Sequence, residues 1–208
     1  MERALRVLAE RARRSLAERA EQTGVQYSFR VIRGRIPSEL LASVSESDLL
    51  VLGTHGWGKQ GSPFARSRGP GSTALQVATH ARRVLLVRPS LPANKRVMVV
   101  HDGSQGATEA LEVAARVADA VSSDLIILIP EGAQRSSKEL EARATDLLSG
   151  QGIKLRYRAL PRADVAGLAA AVRREGGGLL VLSGPVLQQE ESIRQLLEEV
   201  EGALLLVR

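Results

Sequence analysis

Cysteine is absent from the 208 residues, and aromatic side chains make up only 2% of them. The first absence excludes disulfides and thiolate metal sites and fits a cytosolic setting. The second removes the stacking platforms on which proteins hold RNA or single-stranded DNA. Long apolar runs are missing too: none approaches the roughly 18 residues a membrane span needs. The first segment, "MERALRVLAERARRSLAERA", has acidic residues and no continuous apolar stretch, so it reads as an amphipathic helix and not as a targeting peptide. The three histidines, His55, His80 and His101, lie far apart, and no metal centre is expected. No block of five basic residues occurs. The net charge of +6 reads as arginines spread over solvated helix faces, with a weak bias toward anionic partners and none toward nucleic acid.

What is present is an alternation of helix and strand signals. Leu5, Leu8, Ala12, Leu16 and Ala20 recur on one helical face over residues 3–22, and Gly24 is a suitable stop. "VQYSFRVI" alternates and predicts a half-exposed strand at 25–32. Pro37 opens a short helix. "DLLVLG" is apolar on both sides, as a buried parallel strand must be. A helix over 72–81 leads to the strand "RVLLVR". After the proline-bearing linker 89–95, the pattern resumes with "RVMVVHDGS", a helix, "DLIILIP", a helix, "GIKLRYRAL", a helix, "GLLVLSG", a helix and "ALLLVR".

The halves match with a period of about 130 residues, which signals two domains and not a solenoid. Gly24 and Gly152 open corresponding alternating strands, and Val51 corresponds to Val181. The expected fold is α/β: two open, mostly parallel sheets with helices on both faces, residues 1–90 forming a first repeat and 96–208 a second. By the same offset, the strand–helix–strand that opens the second repeat has no counterpart in the first. The second repeat is shorter between its last two strands, where the first carries "GTHGWGKQGSPFARSRGPGST" at 53–73.

That stretch holds six glycines and two prolines between a buried strand and a helix. Glycine allows positive φ and close backbone approach, and such turns at the carboxyl end of an α/β sheet hold phosphate. Two motif readings compete. Gly53, Gly58 and Lys59 fit a P-loop, but Gln60 stands where Ser or Thr would ligate Mg²⁺, and the glycines and prolines continue to Gly71.

The second reading is a resemblance. The order strand, G-x-x-G, spacer, G-[ST], helix, strand is similar to that of the nucleotide-binding universal stress proteins. Gly53 and Gly56 match the first glycine pair, Gly71 and Ser72 the second motif, with Thr73 following. The spacer is longer than the family pattern. "RVMVVHDGSQGATEALEVAARVADAV" resembles the family's opening strand and helix.

The resemblance implies that Gly53, His55, Gly56, Gly71, Ser72 and Thr73 face nucleotide phosphates and that Asp102 contacts adenine or ribose. ATP is the implied ligand, with any Mg²⁺ held by its phosphates, and Lys59, Arg66 and Arg68 are positioned to close over a polyphosphate. It also implies a cytoplasmic homodimer, and final strands paired antiparallel, here "RVLLVR" with "ALLLVR". No activated nucleophile or paired carboxylate stands near the loop, which points to a stress-response regulator and at most slow hydrolysis. The alternative is a module that binds no nucleotide, such as an interaction domain or the soluble regulatory domain of a transporter or sensor. Read on their own, Ser104 and Asp164 are helix caps, and His80 and His101 are structural.

Overall fold

A computed structural model describes residues 2–54, 71–88 and 96–208. Their elements are α1 (Glu2–Thr23), α2 (Ile36–Ala42), β1 (Leu50–Gly53), α3 (Ser72–Ala78), β2 (Arg83–Val87), β3 (Val97–Val100), α4 (Gln105–Ala120), β4 (Leu125–Pro130), α5 (Ser137–Leu147), β5 (Leu155–Leu160), α6 (Val165–Arg174), β6 (Gly178–Leu182), a 3-10 turn (Pro185–Gln188), α7 (Glu190–Glu199) and β7 (Gly202–Val207). The chain divides into two compact units, Met1–Glu39 and Leu40–Arg208.

In the first unit, α1 ends as its sequence dictates. Gly24 adopts φ +67°, and the Val25 amide donates back to Ala20 O at 3.1 Å, closing a Schellman turn. Of the described side chains here only Ala20 is buried. The expected strand at 25–32 does not form: these residues take no sheet pairing. Alternation states which side chains would share a face, but a strand also needs a neighbour for its ladder. The unit contains no other described strand to supply one.

The second unit is built on one seven-stranded sheet of order β1-β2-β7-β6-β3-β4-β5. All neighbours are parallel except β2 and β7, which run antiparallel in the register Arg83↔Val207 through Leu86↔Leu204. The two sheets expected from the sequence are therefore joined edge to edge through "RVLLVR" and "ALLLVR". Parallel strands need crossovers, and helices supply them on both faces. Leu75, Val84, Leu86, Met98, Leu168, Leu180, Ile193, Leu196 and Leu204 form the core under α3, α6 and α7. Val97, Val99, Leu111, Leu125, Ile127, Leu140, Val181 and Leu205 form the other, under α4 and α5.

Close backbone approach fixes two glycines. Gly178 and Gly202 have φ +135° and +152°, and a Cβ on either would overlap Arg96 O or Gly178 O respectively. At the same end of the sheet, the mostly buried Glu175 carboxylate takes Arg158 Nε at 3.2 Å and Arg96 at 3.4 Å. Arg208 donates to the carbonyls of Ala78, Ala81 and Leu187, tying the end of α3 to the 3-10 turn. Burial lowers its guanidinium pKa, although it remains charged at any physiological pH.

Coverage of the α4 face fades toward β1. Val51, Leu85, Leu205 and Val181 form one row across four strands. Val181 is fully buried and Leu205 1% exposed, whereas Val51 is 52% exposed. The row predicts unequal tolerance. Val181→Lys places an unpaired ammonium in the core and costs about 3–5 kcal/mol, while Val51→Lys stays within about 0.5 kcal/mol, both read from urea unfolding.

Candidate functional site

Gly53 closes β1 in register with Val87. The next residue, Thr54, is 2% exposed, and its backbone ties the loop at its neck. Its N–H donates to Val87 O at 2.9 Å, and its carbonyl accepts the Gly71 N–H at 2.9 Å. The glycine-rich segment therefore leaves and re-enters the fold at one point, the carboxyl end of the parallel pair β1–β2. His55 and Gly56, with Trp57, Lys59, Arg66 and Arg68, lie outside the described residues.

Gly71 is the N-cap of α3, and its carbonyl accepts from Leu75 N at 3.3 Å. Its φ of −66° and ψ of 146° are extended backbone that any residue adopts. Nor do neighbours demand glycine. Of the described residues, only Thr54 O comes within reach of an added Cβ, at 4.0 Å. Its amide is already given to Thr54, so it is not a free donor. Ser72 and Thr73 are the first helical residues, and their N–H groups have no acceptor within the helix. Among the described residues no side chain caps α3; its hold is the burial of Ala74, Leu75, Val77 and Ala78. At its far end His80 Nδ1 lies 2.8 Å from Gln76 O. A cleft of about 440 Å³ opens there, lined by Glu46, His80, Arg82 and Arg208 among others.

Asp102 stands elsewhere. It follows β3, and β3 is four places from β1 in the sheet, about 19 Å across at strand spacing. Because β2 and β7 are antiparallel, the carboxyl ends of β1 and β2 point opposite to those of β7, β6 and β3. Asp102 and the Gly53–Thr73 neck thus lie at opposite ends of the sheet. The Asp102 carboxylate is engaged locally, accepting the Ser104 amide at 2.9 Å. Ser104 in turn caps α4, its Oγ accepting from Ala107 N at 3.2 Å. In the second half, the segment matching the glycine loop is only Ser183, Gly184 at φ +91° and the 3-10 turn.

The caps read from the sequence are observed. Asp164 Oδ1 accepts the Gly167 amide at 2.9 Å, and that bond, followed by Arg162, holds the carboxyl below the usual carboxylate range. Ser136 and Glu139 form a capping box on α5, whose amide bond lowers Glu139 likewise. Thr54 is the residue that reading for motifs missed. Its role is carried by its backbone, so its identity gives no signal. Among the described residues no cluster of three or more His, Asp or Glu is arranged to hold a metal, and no helix is long and apolar enough to cross a membrane.

Replacing Ser104 with alanine leaves the Ala107 amide without its acceptor. Ser104→Ala is expected to lower stability by about 1 kcal/mol in denaturant titration.

No protein-family model matches the sequence, and no curated protein does. Solved structures do. A universal stress protein from Archaeoglobus fulgidus DSM 4304 matches 100% of this chain and 80% of its own, with 17% identity and a TM-score of 0.69. A functionally unknown protein from Pseudomonas aeruginosa PAO1 matches 95% of this chain and 77% of its own, at 13% identity and TM-score 0.62. A putative universal stress protein from Pseudomonas aeruginosa UCBPP-PA14 matches the same shares at 14% identity and TM-score 0.59. The seven-stranded, mostly parallel sheet with helices on both faces is the universal stress protein fold.

Proposed function

We propose that this chain is a universal-stress-type regulator that binds ATP, or a related adenine nucleotide, through residues 53–73. The observation that carries the reading is Gly71. Its backbone angles do not require glycine, and no described neighbour excludes a side chain. Yet it sits where the chain enters α3 at the carboxyl end of a parallel strand pair, the place where open α/β sheets take ligands. Close approach by a bound group is the use this reading assigns to the missing side chain.

In this reading the first-turn amides and hydroxyls of Ser72 and Thr73, together with Gly53, His55 and Gly56, hold the phosphates, and Mg²⁺ arrives bound to them. Bound nucleotide would supply negative charge at the loop's neck. Asp102 takes no part, since it serves the other end of the sheet. The chain acts as a cytoplasmic homodimer and not as a fast enzyme.

A second reading draws on the first unit, where Val25, Val31, Ile32 and Ile36 are 52–67% exposed. Such apolar surface suits an interaction module, or the soluble regulatory domain of a transporter or sensor.

Calorimetric titration with Mg-ATP tests the proposal. Wild type is expected to saturate with a Kd of about 1 mM or tighter. Gly71→Asn keeps a good N-cap and the fold, but weakens binding at least about tenfold. Asp102→Ala binds as wild type does. A folded wild type that shows no saturable binding refutes the nucleotide reading and leaves the interaction module. Undiminished binding by Gly71→Asn refutes the placement at the loop's neck.

A further inference from the structure

His101 has no part in the site above, yet of the described histidines it is the one buried in the fold. It extends the β3–β4 ladder by one residue, its amide donating to Leu128 O at 3.0 Å. The residue is 3% exposed, and among the described residues neither Nδ1 nor Nε2 has a partner in full hydrogen-bond geometry. A buried imidazole without partners is costly and calls for an explanation.

Continuing the alternation of Val97 and Val99, His101 lies on the sheet face covered by α4. The inward residues of α4 are Ala107, Ala110 and Leu111, and β4 brings Ile127 and Ile129 to this face, so neither element offers a titratable group. The charged groups acting on the ring are two. Asp102, in its own turn, favours the imidazolium, as does the Ala107 backbone, while Arg143 of α5 opposes it. Burial outweighs them and holds the ring neutral, below the usual histidine range.

The next residues form a tight turn. Gly103 has φ +84°, Asp102 closes a turn on the Ser104 amide, and Ser104 caps α4. We propose that His101 is an acid-released latch on the β3–α4 junction: a charged ring has no place behind α4, so protonation opens residues 102–108 while the rest of the sheet stays closed.

The sign follows from the folded and unfolded states. The unfolded chain protonates His101 near its ordinary value of about 6.5, and the folded chain only at lower pH. Junction stability is therefore complete above that value and declines as pH falls below it. Asp164 and Glu139 have depressed carboxyls, so their contributions fade only at or below the ordinary carboxylate values of about 4. The two windows are separate.

Hydrogen exchange at pH 7.5 and 5.5, corrected for intrinsic rates, tests the latch. The Ala107 and Thr108 amides, which bond to Ser104, are expected to lose protection about tenfold per pH unit below the unfolded value. The amides of Leu180 and Leu205 in the central strands should not follow. His101→Leu, and His101→Gln should the first variant fail to fold, are expected to abolish the difference. In the NMR titration of wild type, the His101 ring should titrate below the free-histidine value. A junction whose protection does not change with pH in wild type overturns the proposal. So does the same loss in either substituted protein, or a His101 midpoint at or above the free-histidine value.

Discussion

The antiparallel ladder between β2 and β7 is the constraint on which the rest of the structure depends. It turns two short parallel groups into one sheet of seven strands. Leu85 and Leu205 meet across it, on the α4 face, and Leu86 and Leu204 on the other, so both cores run through this one pairing. Arg208 then fastens the end of α3 from the far side of the ladder. Without it, β1 and β2 would be a two-stranded ribbon, too small to hold together in water.

The same ladder decides the geometry of function. In a wholly parallel sheet every strand would present its carboxyl end to one side, and a glycine loop and an aspartate on different strands would share a cleft. Reversal at β2/β7 separates them. The neck closed by Thr54 and Gly71 faces one end, and the turn built by Asp102, Gly103 and Ser104 faces the other. Each end is then free to do something different. One offers a backbone position with no described side chain against it, and the other a helix start whose closure depends on an uncharged His101.

Much of this was legible in the sequence, because most elements carry redundant signals. "DLIILIP" is apolar on both sides and became the fully buried β4. "LRYRAL" alternates and became β5, an edge strand with exposed arginines and Tyr157 leaning on α5 through a bond to Glu141 O at 3.1 Å. Asp164 and Ser104 announced their helices by capping them. The segment at 25–32 shows the limit, since it alternates as well as β5 does. β5 has β4 beside it, whereas 25–32 lacks a described neighbour, and neighbours are not written in local pattern. Gly71 shows another limit. Glycine suggested positive φ, but the backbone there is extended, and only the coordinates separate a conformational need from a need for room. His101 read as structural and is buried, yet nothing in "VVHDGS" reveals that its ring lacks partners.

Because the chain contains no cysteine, paired substitutions report directly on the central ladder. The measurement is oxidative cross-linking of Arg83→Cys with Val207→Cys, and of Arg83→Cys with Ala203→Cys. In the antiparallel register Arg83 faces Val207, within disulfide reach, while Ala203 lies at the opposite end of β7. The account predicts an intramolecular disulfide for the first pair and none for the second. Cross-linking of the second pair in place of the first would mean that β2 and β7 run parallel, and the separation of the loop from Asp102 would fall with it.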